Sequence, residues 1–304
     1  MPLWVWIALA AGCAQTARNA LARSMVGEIS APLNSWSRFT FMLPLLFPMV
    51  TFCVMRSGMP YVSPSCLVYA VLGASSQLIG GIMLIMAFQR SNFAQSIIFH
   101  KLEVVFAAVI GALFFQESPS LLAWFGILVC SVGVVLMNVG REAGSGGWRR
   151  AFYLDCGGVL AIVCAVILVI CSFMIKRCLL ALVQANPHLQ DSTFEAVVFT
   201  SFLVTVTDVA ILTTYLVLRQ PSQLAQVRRL WTRMFMVGAA SLTTSLTSYW
   251  AFSLTLVAYA AAVGQIESVL SVLLGLMIWC EDEVWRQIPG MALLIGGMIL
   301  VLLA

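Results

Sequence analysis

Charge is what this sequence has least of: Asp, Glu, Lys and Arg make up 9% of its 304 residues, against about 25% in soluble proteins. The chain is 62% hydrophobic, with a mean hydropathy of +1.00. So little polar surface cannot cover so much apolar side chain in water. The expected solvent is lipid, which excludes an ordinary soluble enzyme or binding domain. Histidine is nearly missing, with two in the chain, and no further His or Cys stands at ligand spacing near His100, which argues against a metal site. A Gly-rich loop carrying a phosphate-binding Lys is absent, so nucleotide hydrolysis is not the expected energy source and no cofactor is called for. The nine cysteines are odd in number and lie mostly in apolar runs, the opposite of a disulfide framework. A net charge of +4 is spread along the polar links and forms no nucleic-acid patch. The first apolar stretch lacks a small-residue cleavage site and is expected to stay as a helix.

What is present is a series of apolar runs. A helix needs about 20 mainly apolar residues to cross a bilayer. Ten runs qualify, near 3–24, 35–55, 64–88, 93–115, 120–139, 153–176, 195–218, 232–254, 257–280 and 287–303. The most hydrophilic link, 140–150, reads as a flexible linker. The expected class is an all-α protein of the cell membrane, with a first five-helix unit at 1–140, a linker at 141–152 and a second unit at 153–304.

The two units are related. Sliding 87–139 by 164 positions onto 251–303 gives ten identities in 53 positions without a gap. Glu103 falls on Glu267, Gly111 on Gly275, Glu117 on Glu281, Gly126 on Gly290 and Gly133 on Gly297. The chain has eight glutamates, so two in register at one offset mark a repeat. Five helices per unit is an odd number, which sends the second copy into the membrane upside down. Inverted repeats of this kind are a construction habit of secondary transporters, with substrate held near the midplane.

Polar groups inside the apolar runs are the candidate site residues, because charge at depth is expensive and marks pathways or partners. Gln15, Arg18 and Asn19 share one face of the first helix by their i, i+3, i+4 spacing; interfacial snorkelling of Arg18 is the bland alternative. Gln77 precedes Gly80-Gly81 in the third run. The fourth run holds Ser96, His100, Lys101 and Glu103; Ser96, His100 and Glu103 fall within about 60° on a helical wheel, and His100 and Glu103 are an i, i+3 pair able to share a proton. The ninth run places Ala260, Gly264 and Glu267 at the equivalent positions, and Gln265 is a further candidate for the cavity lining. The bland reading of this cluster is a buried ion pair that fixes packing; the functional one is a proton-titrating or substrate-gripping site. Tyr249 and Trp250 close the hydroxyl-rich eighth run as belt residues or cavity walls. Glu117 and Glu281 read as turn and helix-dipole elements, with Ser118 before Pro119, and Asp282, as helix starts. Cys156, Cys164, Cys171 and Cys178 stripe the sixth run at near-heptad spacing, as for close packing. Arg38 opens the second run as a boundary anchor, Asp208 stands alone in the seventh, and His188 is expected in solvent.

These residues resemble the drug/metabolite transporter superfamily, EamA type, over nearly the whole chain. The run Leu102-Glu103-Val104-Val105-Phe106 is similar to the family's "EPvfa" segment, and Arg38-Phe39 to its helix-2 "Rf". Glu117 and Glu281 match its late glutamates, each followed by glycines (Gly126 and Gly133, Gly290 and Gly297). The chain departs from the pattern where Val104 and Ser268 replace a proline, and where Gln116 and Cys280 replace a glycine. The resemblance implies ten helices as two inverted repeats around a central cavity lined by helices 1–4 and 6–9. It also implies export of a small metabolite, amino acid-like compound or drug. The expected partners are a small-molecule substrate, membrane lipid, and protons or another coupling ion, with a monomer sufficient. Basic residues, counted by link, set both termini outside, whereas family members keep them in the cytoplasm; the orientation is left open. An intramembrane enzyme using His100 as base beside Ser96, and a non-transporting receptor or assembly partner, are the rival readings.

Overall fold

The structure, a computed structural model, describes residues 2–25, 28–90, 93–141, 156–190, 192–279 and 284–304. Its helices are α1 (Leu3–Arg23), α2 (Ala31–Thr40), α3 (Leu43–Ser57), α4 (Pro64–Arg90), α5 (Phe93–Lys101), α6 (Glu103–Phe114), α7 (Leu121–Arg141), α8 (Cys156–Ala185), α9 (Thr193–Arg219), α10 (Ala225–Leu254), α11 (Val257–Gly264), α12 (Ile266–Trp279) and α13 (Ile288–Leu302). Eight stretches among the described residues are long and apolar enough to cross a membrane: Ala31–Ser57, Pro64–Leu84, Ser96–Phe114, Leu121–Val139, Cys156–Ala185, Thr193–Arg219, Val257–Leu274 and Trp285–Leu302. Helices α1 and α10 are as long but more polar.

Among the described residues every expected run is helical, with differences at ends and in continuity. Helix α8 continues past Lys176 and Arg177 to Ala185, and α10 starts at Ala225 ahead of its apolar part. Charges that the sequence assigns to loops are instead the outer turns of helices longer than the apolar layer. Three runs are broken. The second breaks at Phe41-Met42, where Pro44 and Pro48 of α3 lack the amides to continue the ladder. The fourth breaks at Leu102 (φ −66°, ψ −3°), and the ninth at Gln265, whose amide is shared between the Ala261 and Ala262 carbonyls at 3.2 Å each. Glu281, its neighbours Cys280 and Asp282, and most of the linker lie outside the described residues.

The chain forms two compact units, and each draws on both sequence halves. One comprises Met1–Leu9, Ser76–Phe173 and Thr255–Ala304; the other comprises Ala10–Ser75 and Met174–Leu254.

In the first unit α7 crosses α13 at four glycines. A Cβ on Gly126 would lie 2.9 Å from the Gly297 oxygen, and one on Gly133 2.5 Å from the Leu294 nitrogen and 2.8 Å from the Gly290 oxygen. Only glycine permits backbones this close. As the number rises from 126 to 133 the partner falls from 297 to 290, so the two helices run antiparallel. At the middle of the crossing the Cys130 thiol donates to the Leu294 carbonyl at 3.5 Å. Gly80 of α4 takes the Leu168 side chain of α8, and Phe115 stacks on Phe173 with centroids 4.2 Å apart.

The turn before α7 differs from expectation. Ser120, not Ser118, caps the helix, accepting the Ala123 amide at 3.1 Å; Pro119 is buried just outside it. Glu117 does act as a helix-end group, but on another helix: its Oε2 accepts the Val257 amide at 2.8 Å, capping α11. Gln116 has φ +59°, the left-handed conformation that suits the glycine expected there by resemblance.

In the second unit α2 lies along α9 and α10. Trp36 Nε1 donates to Thr213 Oγ1 at 2.8 Å, and Met25, Leu33, Leu216, Leu230, Met234 and Val237 form a buried cluster. Glu28 accepts from Arg229 at 2.6 Å and Arg233 at 2.8 Å. The Asn186 amide bridges the backbone N–H and C=O of Tyr61, both at 2.8 Å. Glu195 is buried and holds Arg56 at 3.7 Å and the Ser57 hydroxyl. His188 is exposed in a short 3-10 turn, Pro187–Leu189, as expected.

Candidate functional site

The two helix breaks in the first unit carry the densest ionisable cluster of the apolar runs. Helix α5 ends on His100 and Lys101, and α6 begins on Glu103; α12 carries Glu267 in its first turn. Cations at a helix C-terminus and carboxylates at an N-terminus both suit the helix dipole. The break therefore makes a favourable place for charges that an unbroken helix would bury at a cost.

Across the breaks the side chains pair. Lys101 Nζ lies 3.4 Å from Glu267 Oε2, with side chains only 13% and 11% exposed. Gln265 Nε2 donates to Glu103 Oε1 at 3.4 Å, and Ser268 Oγ donates to Gln265 Oε1 at 3.4 Å. The 164-residue offset carries 101 onto 265 and 103 onto 267. The two contacts are thus one interaction made twice, reciprocally: 101 with 267, and 265 with 103. One member of the duplicated pair is an ion pair, the other a neutral amide on a carboxylate. Lys101 thus faces one of the two glutamates, Glu267, while the other, Glu103, faces an amide.

His100 and Glu103 do not form the direct pair that their i, i+3 spacing suggests, because the break at Leu102 falls between them. His100 Nδ1 instead lies 3.9 Å from Cys164 Sγ, whose thiol is 3.1 Å from the Gly80 carbonyl. Ser96 is fully buried and its hydroxyl has no partner. Gln77 Oε1 is 3.9 Å from Cys171 Sγ. The cysteine stripe of α8 thus faces polar groups of α4 as well as packing. Its near-heptad spacing signals a shared face but not what stands opposite, so the sequence points to packing alone.

The remaining candidates lie in the other unit. Arg18 donates to Asn19 Oδ1 at 3.1–3.2 Å, which ties up two of the three residues expected on one α1 face; Gln15 is half-buried. Tyr249 is buried, and Trp250 packs on Phe194 with centroids 5.0 Å apart. Among the described residues no group of three His, Cys, Asp or Glu is arranged to hold a metal.

Residues 2–139 match the EamA-like transporter family, consistent with the drug/metabolite transporter superfamily. With eight apolar helices long enough to span, the chain is an integral, multi-pass membrane protein, and its first half is similar to membrane transporters. No curated protein matches its sequence. One crystal structure of a protein at 17% identity aligns over 98% of this chain and 95% of its own, with a TM-score of 0.70; at that identity the likeness shows a shared fold, and it extends through the second half.

Proposed function

Taking the EamA-like match as premise, we propose that the chain is a secondary transporter exporting a small metabolite, amino acid-like compound or drug by alternating access of two inverted five-helix repeats, with protons as the coupling ion. The observation that carries this reading is the reciprocal pairing of Lys101 with Glu267 and Gln265 with Glu103 at two helix breaks. Interrupted helices whose ends present charge inside the membrane are how carriers build substrate and ion sites. A scaffold has no need to place three ionisable groups there, since a charge at depth costs about 2.5–3.5 kcal/mol on insertion scales. The antiparallel crossing of α7 and α13, equivalent helices in the 164-residue register, supports the inverted relation.

Glu103 is the coupling residue in this account. Its oxygen accepts from the Gln265 amide, whereas Glu267 is paired with the Lys101 ammonium. His100, Lys101, Gln265 and Glu267 hold or position the groups around it, and Ser96 and Gln77 supply polar atoms on neighbouring turns. The intramembrane-enzyme reading would need a nucleophile beside His100, and the residue there is Cys164, which is fully buried.

The test is uptake into proteoliposomes under an imposed pH gradient, screened with labelled amino acids, nucleosides and vitamins. Glu103→Gln is expected to keep its helicity and lose gradient-driven accumulation. Unchanged accumulation in that variant removes Glu103 from the mechanism.

A further inference from the structure

A second set of polar groups lies in the other unit, on the facing sides of α2 and α9. Asp208 is completely buried, and neither carboxylate oxygen accepts a hydrogen bond. Arg38 Nε, Thr40 Oγ1 and Ser201 Oγ are also buried and without hydrogen-bond partners. This concentration is unusual, because buried polar atoms are normally satisfied and an unpaired buried charge is the costliest case.

The packing sets Arg38, Thr40 and Asp208 at one level. Trp36 bonds Thr213, and Thr205 Oγ1 donates to Met42 Sδ at 3.7 Å, so the chain from 36 to 42 runs antiparallel to α9 from 213 to 205. Arg38 and Asp208 fall between these two ties. Ser201, Thr205, Asp208, Leu212 and Leu216 recur at helical spacing and are all buried, so Asp208 sits on the inward face of α9. Each charge acts on the other, and Tyr249 of α10 is near enough to act on Arg38, yet no hydrogen bond joins Arg38 to Asp208. Gly238 brings α10 so close that a Cβ there would lie 2.6 Å from Phe41, which holds the end of α2 in place. Arg38 keeps partial exposure, giving the level an opening.

We propose that Arg38 and Asp208 form a binding site for a small zwitterion, whose anionic group meets the Arg38 guanidinium and whose ammonium meets the Asp208 carboxylate. Charge balance selects this ligand class. A lone cation is repelled by Arg38, and a lone anion by Asp208. A proton on Asp208 silences its charge but leaves the Arg38 guanidinium without a counter-charge at this level. A ligand carrying both signs satisfies both residues at once, and Thr40 offers its hydroxyl to a remaining polar atom. This site shares no residue with the Glu103 cluster and stands whether or not that cluster couples transport.

Thermal stability of the purified full chain in detergent, titrated with glycine, β-alanine and 4-aminobutyrate, tests the proposal. Acetate and ethylamine serve as single-charge controls. At least one zwitterion is expected to raise Tm saturably while both controls leave it unchanged. Asp208→Asn and Arg38→Gln are each expected to weaken that effect at least about tenfold, and Glu103→Gln to preserve it. Stabilisation by acetate or ethylamine alone, no stabilisation by any of the three zwitterions, or an effect that survives both substitutions overturns the site. If either variant fails to fold, the comparison of zwitterion with single-charge probes on the unaltered chain still decides.

Discussion

At the scale of single residues, two positions show how local chemistry tests the account. Gln116 holds φ +59° after α6, and its neighbour Glu117 returns its amide to the Gly111 carbonyl at 2.9 Å. A side chain in this region costs about 1 kcal/mol. Gln116→Gly is expected to leave stability unchanged or raise it by up to about 1 kcal/mol, and Gln116→Val to lower it; thermal unfolding in detergent reads both. The position of the strained residue was visible in the sequence as a missing glycine, though its conformation was not. Glu28 is the second case. Hydrogen bonds from Arg229, then Arg233, hold its carboxyl below the ordinary carboxylate range. A depressed value in the folded state means a stabilising contribution that is fully present above the unfolded carboxylate pKa and lost as pH falls through the folded one. Glu28→Gln should therefore lose stability at neutral pH and flatten the acid limb, and added salt should shrink the difference because the group is exposed.

At the scale of elements, the α7–α13 crossing and the paired breaks carry the packing argument. Gly133→Leu or Gly297→Leu meets backbone atoms 2.5 Å away and is expected to destabilise by about 3 kcal/mol or more, since backbone cannot step aside cheaply. Gly296→Ala, one residue along and with nothing within 4 Å, should be neutral or gain up to about 1 kcal/mol from helix propensity. The Lys101–Glu267 pair calls for a double-substitution cycle. Lys101→Met or Glu267→Leu alone should cost about 3–5 kcal/mol by stranding the partner's charge, and the double change much less. Helix positions were legible because apolar runs between charged links leave little choice in lipid. The breaks at Leu102 and Gln265 were not: no proline marks either, and periodicity continues through both. Broken continuity also undid the expected His100–Glu103 pair, which assumed an unbroken wheel.

At the scale of the whole molecule, the internal repeat was the strongest signal in the sequence, and its register is the coordinate in which the site's two contacts correspond. Pairing across that 164-residue register could not be foreseen, because a repeat fixes which residues correspond and not which ones touch. Nor could Asp208, alone in its run, be assigned a partner before α2 and α9 were seen to pack. The central claim is that the two breaks form one duplicated site, with a lysine on one side and a glutamine on the other. Moving the lysine across tests it directly. Lys101→Gln alone removes the cation that faces Glu267 and should lose pH-gradient-driven uptake in proteoliposomes. Lys101→Gln combined with Gln265→Lys rebuilds the mirror arrangement, with the introduced ammonium now facing Glu103, and should recover uptake and thermal stability toward the unaltered chain. A double variant no better than Lys101→Gln alone would contradict the account.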